Sequence, residues 1–287
     1  MPELAPRLAV DLSGGLIRIV EGAPGAPMRS GTGGTPKGSL VDGRVVDVEA
    51  VGGALRMLVA RSEVTTNRAM IAASDAVATF RVMALPKAAR DADVETAVAR
   101  ELPMEAERMS IRWLDIPYDG DERRVYAVAW DRGLVRNITN AVRAAGLEPG
   151  AVDLKSACIA RTAPEASCIV VDLSGEPAEM FLIDGSMPQA WSTFRVDVAA
   201  GGDAGPSLVG PLKSMLRYYK RRRDTNFDPA SPVLISSEQP LSSSSLGMLQ
   251  RAVGQPVTHL PMPPRVPTEI RHATFLTCLG LIMRRSE

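Results

Sequence analysis

Five residues occur twice in this chain, Val10-Asp11-Leu12-Ser13-Gly14 and Val171-Asp172-Leu173-Ser174-Gly175. An apolar run precedes each copy (Leu8-Ala9-Val10, Ile169-Val170-Val171). Another follows it (Leu16 to Val20, Ala178 to Ile183), so each copy reads as strand, tight turn, strand. A short loop with an Asp, small side chains and free backbone N–H groups is suited to approach a phosphate closely and to hold Mg²⁺ or its water. The candidate residues are Asp11, Ser13 and Gly14 in the first copy and Asp172, Ser174 and Gly175 in the second. Two ordinary hairpin turns would carry the same residues, and a short motif alone does not separate the readings. Two such hairpins in two halves imply a duplicated fold.

The elements that would position these loops follow from periodicity and capping. After the first hairpin, Ala23 to Gly38 is rich in Gly, Pro, Ser and Thr and is expected to be an exposed, mobile loop. Asp42-Gly43 between apolar pairs predicts a turn, and Asp47 is expected to cap a helix from Val48 to Arg61. Strands are predicted at Arg68 to Ala73 and Val77 to Leu85, a helix at Asp93 to Leu102 stopped by Pro103, and strands at Met109 to Ile116 and Arg124 to Trp130 about a polar turn at 119–122. Asp131 caps a helix from Arg132 to Ala145 that Gly146 ends, and Lys155 to Thr162 reads as helical before the second motif. Later come a strand at Gln189 to Val196, a helix at Leu208 to Arg223, loops at Pro240 to Ser245 and Pro261 to Pro267, and a last apolar helix from Glu269 to Arg285, read as core.

With 287 residues the chain buries a sizeable core over about two domains. Lys plus Arg and Asp plus Glu both number 33, so no global field draws it to nucleic acid or an anionic surface. Lys220 to Arg223 complements a helix C-terminus. Cys158, Cys168 and Cys278 lack metal spacing or an even count, which favours a reducing cytoplasm, and His259 and His272 stand apart from any nucleophile. Neither a signal peptide at Met1 to Arg7 nor an apolar run long enough to span a bilayer is read.

Several phrases in order resemble the type IV pilus assembly protein PilM family, relatives of the actin-like division protein FtsA. They are Gly38-Ser39-Leu40-Val41-Asp42-Gly43-Arg44-Val45-Val46-Asp47, Arg81-Val82-Met83-Ala84-Leu85-Pro86, and Ala144-Ala145-Gly146-Leu147-Glu148-Pro149 with Val152-Asp153. The resemblance implies an α/β, two-lobed actin-like ATPase fold with RNase H-like sheets. The first lobe would hold subdomain IA (1–68) and an inserted IC (69–149), and the second (150–287) a IIA with a missing or reduced covering subdomain IIB. It maps Asp11, Ser13 and Gly14 onto the first phosphate loop and Asp172, Ser174 and Gly175 onto the second. It also implies a first-lobe groove for the cytoplasmic N-terminal peptide of a PilN-like bitopic membrane protein, at the inner face of the cytoplasmic membrane.

Departures from the family pattern gather on the nucleotide side. Asp197 to Pro206 replaces the long insertion that forms the covering subdomain, and Gly210-Pro211 stands where an acidic residue is expected. The adenosine loop reads Ser236-Ser237-Glu238-Gln239-Pro240, without the glycines that let backbone approach a base, and Glu176-Pro177 puts an anion and a donor-less residue in the second phosphate loop. The resulting reading is a cytoplasmic scaffold without ATP hydrolysis and without a cofactor, whose loops are vestigial. The alternatives are an active ATPase using ATP and Mg²⁺ through Asp11 and Asp172, and an FtsA-like adaptor that self-associates into rings or filaments. Nucleic acid is not an expected partner.

Overall fold

The computed structural model describes residues 6–101, 108–117, 120–197, 203–223, 227–270 and 273–284. The first repeated motif closes β1 (Arg7–Asp11), which turns back antiparallel into β2 (Leu16–Gly22) with Asp11 opposite Arg18. β3 (Arg29–Gly34) continues this meander, while β6 (Arg68–Ala73) and β10 (Glu148–Leu154) add in parallel on the other side of β1. The second motif repeats the plan. β11 (Cys168–Asp172), β12 (Ala178–Asp184) and β13 (Met187–Phe194) form a meander with Asp172 opposite Glu179, and β14 (Val233–Ser236) and β15 (Val257–His259) add in parallel. Two five-stranded sheets of one connectivity result, as duplication of the motif implied.

Helices cover both faces of each sheet, so the central strands are buried and read as continuous apolar runs. α1 (Val48–Arg61) and α3 (Arg132–Ala144) bury Val51, Leu55, Ile138 and Val142 against the first sheet. Asp47 accepts from Ala50 N at 3.0 Å and Asp131 from Gly133 N at 2.7 Å, which satisfies amides that open each helix. α5 (Gly205–Arg223) and α6 (Ser243–Val253) pack on the outer face of the second sheet. α4 (Lys155–Thr162) and α7 (Leu276–Ile282) lie between the halves. Cys158 packs with α7 on Ala9, Val20 and Ala72 of the first sheet, while Ile159 and Leu276 pack on Val170 and Phe181 of the second.

Between β6 and β10 the chain builds a separate layer. β7 (Ala78–Pro86), β9 (Glu122–Asp131) and β8 (Met109–Ile116) form a three-stranded antiparallel sheet, and α2 (Asp91–Glu101) closes a small core around Val94, Val98 and Val125. Within the span 69–149, α3 and most of β6 thus pack with the first sheet, and the separate layer is β7 to β9. β4 (Leu40–Val41) and β5 (Arg44–Val45) meet at Asp42-Gly43, both at positive φ (48° and 72°), the turn that this dipeptide favours.

Some expectations fail for identifiable reasons. The stretch 23–38 is not a loop throughout, because β3 lies within it: a Cβ on Gly31 would collide with Ser62, so glycine here is what lets the strand pass beneath the end of α1. The serine run at 242–245 is not a loop; Ser242 caps α6 by accepting from Ser245 N at 3.2 Å, and Ser243 to Ser245 form its first turn. α5 begins at Gly205, so Pro211 lies inside it rather than near its start. The final helix is not continuous from Glu269: short 3₁₀ turns at Thr268–Ile270 and Ala273–Phe275 precede α7, all of whose residues are buried. Pro103, Asp119, residues 198–202, His272 and Arg285 lie outside the described residues.

The tightest joint is α4 against α7. A Cβ on Gly280 would overlap the Cys158 carbonyl oxygen, which is backbone and cannot swing aside. Gly280→Ala is expected to destabilise the fold by about 2–3 kcal/mol through overpacking, read as a lower urea midpoint.

Candidate functional site

The two motif loops face one another across the line between the halves, and each is held by its own aspartate. Asp11 Oδ1 accepts from Ser13 N at 2.9 Å and from Ser13 Oγ at 2.5 Å; Asp172 Oδ1 accepts from Ser174 N at 3.0 Å. The amides and hydroxyl that the sequence offered to a phosphate are thus engaged within their own turns at Ser13 and Ser174. Cβ positions at Gly14 and Gly15 meet nothing within 4 Å, so the first loop has open space beside it.

Both aspartates are buried, at 1% and 3% exposure, and a buried carboxylate requires a countercharge. The structure supplies one from within the chain at each loop. Arg18, directly opposite Asp11 in the β1–β2 register, places Nη1 3.6 Å from Asp11 Oδ2 and donates through Nη2 to the Ser174 carbonyl at 3.0 Å. One guanidinium therefore bridges the two loops. In the second copy the residue at the same place in the register is Glu179, an acid, so Asp172 finds no cation across its own hairpin. Lys155, the first residue of α4, fills this need: its Nζ stands 2.8 Å from Asp172 Oδ2 and also pairs with Glu179 Oε2, 5.8 Å from the centre of the Phe181 ring.

The protonation states follow from this arrangement. Burial alone would lower the Lys155 ammonium, but Asp172, Glu179 and Asp11 hold it well above the ordinary lysine value. Burial would raise Asp172, yet Lys155 and the Ser174 hydrogen bond bring it below the usual carboxylate range. Glu179 is raised because burial, with smaller contributions from Asp172 and Asp11, outweighs the pull of Lys155.

A further carboxylate anchors the same helix. Asp75, fully buried, accepts from Ser156 N at 2.9 Å and from Ser156 Oγ, which caps α4 where Leu154 offers no side-chain oxygen. Burial pushes Asp75 up to about 7; Ser156 and Lys155 pull the other way, and Glu179 adds to the rise.

Beside the loops lies a cleft of about 1310 Å³ whose lining includes Ser174, Gly175, Glu176, Pro177 and Ser237 to Ser242. Among the described residues, Asp42, Glu176, Asp197, Asp203 and Glu238 line it with a single cation, Arg195. Glu238 accepts from Thr274 Oγ1, and Asp203 from Ser242 Oγ at 2.8 Å and from Ser245 Oγ. Between Phe194 and Gly205 the chain has only residues 195–204, too few for a covering subdomain.

Residues 30–183 match the family model of the type IV pilus assembly protein PilM, more than half of the chain. The chain belongs to the PilM family. Among solved structures it is similar to the PilM–PilN type IV pilus biogenesis complex at 19% identity, covering 98% of each chain with a TM-score of 0.74. It is also similar to the cytoplasmic domain of EpsL, an inner-membrane component of the type II secretion system of Vibrio cholerae, at 10% identity over 98% and 97% of the two chains and TM-score 0.59. Ethanolamine utilization protein EutJ from Carboxydothermus hydrogenoformans follows at 15% identity, 99% and 90% coverage and TM-score 0.53. At these identities the likeness shows the fold, which is the two-lobed actin-like ATPase architecture. No curated protein matches the sequence at a significant level. Among the described residues, no helix of this PilM-family chain is long and apolar enough to cross a membrane.

Arg18, Asp75, Lys155, Ser156 and Glu179 were not among the candidates read from the sequence. Two signals were present. Arg18 interrupts the apolar run Leu16-Ile17-Arg18-Ile19-Val20, and it stands seven residues after Asp11 as Glu179 stands seven after Asp172. Lys155 carried no local signal, since its partners are brought to it by the fold alone.

Lys155→Met would strand Asp172 and Glu179 without their cation and is expected to cost about 3–5 kcal/mol in urea unfolding; adding Glu179→Gln to that variant should restore part of the loss. The raised Asp75 makes a pH prediction of defined sign. Its contribution to stability is complete below the unfolded value of 3.8 and is lost as pH rises through about 7. Across that window wild type is expected to lose stability relative to Asp75→Asn, measured as the difference between their urea midpoints at each pH.

Proposed function

We propose that this PilM-family chain is a scaffold of a type IV pilus or related assembly complex whose loop aspartates are met by its own cations rather than by a nucleotide and its metal. The carrying observation is that both loop aspartates face a cation of the chain: Lys155 Nζ pairs with Asp172 Oδ2 at 2.8 Å, and Arg18 Nη1 stands 3.6 Å from Asp11 Oδ2, which has no hydrogen-bond partner among the described residues. A Mg²⁺ between these carboxylates would have to displace an ammonium and a guanidinium, and cation repulsion opposes its entry while they remain. The rest of the cleft points the same way. Five carboxylates against one arginine repel a polyphosphate, Glu176-Pro177 offers it an anion and a missing N–H, and no covering subdomain is present to enclose a base. The residues do not fit a Mg²⁺–nucleotide, and we assign no catalytic role to Asp11 or Asp172.

The partner follows from the family. A chain of the same fold has been solved as a PilM–PilN complex, and membership supports a PilN-type membrane protein as the partner here. Its short cytoplasmic N-terminal peptide would dock in the first lobe beside the β7–β9 layer and hold the scaffold at the inner face of the membrane.

Titration calorimetry tests both halves of this reading. No heat is expected with ATP and Mg²⁺ up to millimolar nucleotide, whereas the N-terminal peptide of the PilN-type partner should bind at about micromolar affinity, roughly 8 kcal/mol. Nucleotide binding below about 10 μM that vanishes in Asp11→Ala would restore the ATPase reading. Absence of peptide binding would remove the scaffold's membrane link.

A further inference from the structure

We propose that a second groove, between the inserted layer and the second lobe, is a docking site for an extended peptide that adds to β13 as a strand, alternates apolar residues and carries a carboxylate. The groove, of about 640 Å³, runs between the start of β7 and residues 189–194 of β13, with α5 as its floor. Its walls come from different units than the first-lobe seat assigned above, and the inference does not rest on that assignment.

Three observations carry it. First, β7 and β13 are each the outermost strand of their sheet, paired on one side only to β9 and β12. Edge strands are ordinarily guarded by charge, proline or a covering element. Arg81 and Pro86 of β7 and Pro188 of β13 guard the rest of these edges, but the segments Ala78-Thr79-Phe80 and Gln189-Ala190-Trp191-Ser192-Thr193-Phe194 contain neither charge nor proline, and the groove opens beside them. Main-chain groups along such an edge are what strand addition uses.

Second, the lining is rich in aromatics in a chain that is poor in them. Three Trp, four Tyr and five Phe occur in the whole sequence, and Phe80, Trp191, Phe194 and Tyr218 line this one groove. Tyr218 is 46% exposed despite its size. Large aromatics at a partly open groove supply pockets for alternate side chains of a bound strand.

Third, the charge has one sign. Among the described residues Arg222 is the sole charged one of the lining; it donates to the Tyr218 hydroxyl at 2.6 Å and lies 5.9 Å from the centre of that ring. Lys220 and Arg221 are exposed on the same helix end. The complement of this rim is an anion, an acidic side chain or a C-terminal carboxylate of the incoming segment. The other cleft, whose charged lining is mostly carboxylate, has the opposite preference.

The test pans a random twelve-residue peptide display library on the full chain. The expected enriched peptides alternate apolar residues and contain Asp or Glu, change the Trp fluorescence of wild type but not of Trp191→Phe, and lose about tenfold or more in affinity to Arg222→Glu and to Tyr218→Ala. Methylating alternate backbone amides of an enriched peptide should weaken it to a similar degree, since strand addition needs those N–H groups. Both substituted side chains are exposed, so the variants retain the fold. No enrichment, enrichment of basic peptides, or binding indifferent to both variants would overturn the proposal. Competition by the PilN-type N-terminal peptide would overturn the claim of a second site.

Discussion

Burying a carboxylate is the constraint around which this molecule is arranged. The repeated motif ends a buried strand on an aspartate, and the duplicated fold turns two such ends toward each other. With water excluded, Asp11 and Asp172 need cations of their own. Arg18 comes from β2 of the first half and reaches the Ser174 carbonyl of the second, and Lys155 comes from the start of α4, between the halves, and reaches Asp172 and Glu179. The same contacts that neutralise the loops therefore join the halves.

On the function proposed above, this arrangement would let the architecture keep its shape without a ligand. In a cleft whose aspartates are met by metal and phosphate, closure depends on what is bound. Here the countercharges are covalently part of the chain, so closure costs no binding entropy and needs no ligand. Buried ion pairs contribute little net stability against an apolar alternative, yet losing one partner is expensive. The network is accordingly better understood as fixing how the halves meet than as a store of stability. Asp75 belongs to the same design. By capping α4 from the turn that leads into β7, it ties the inserted layer to the helix that carries Lys155.

The two grooves divide the surface by charge. One is acidic and lies beside the second motif loop, the other aromatic with a cationic rim between two strand edges. For the scaffold role proposed above, such separation would keep partners of different chemistry from competing for one site.

Much of the fold was legible in the sequence because its signals are local. The repeated motif, the Asp47 and Asp131 caps, the Asp42-Gly43 turn and the stop at Gly146 act within a few residues of themselves, and the order of these phrases carried the family. Where the sequence misled, a local signal was outweighed by packing. Glycines that read as a loop let β3 slide under α1, and serines that read as a loop cap and open α6. The candidate aspartates and their turns could be named from sequence, since a turn is made by neighbours. Of their countercharges, Arg18 left a trace within its own hairpin, but Lys155 left none, because it meets Glu179 across 24 positions; the Asp75 cap on Ser156 spans 81. Sequence determined the loops. Only the tertiary structure decided what fills them, because burial creates the demand for charge and topology alone selects which residue answers it.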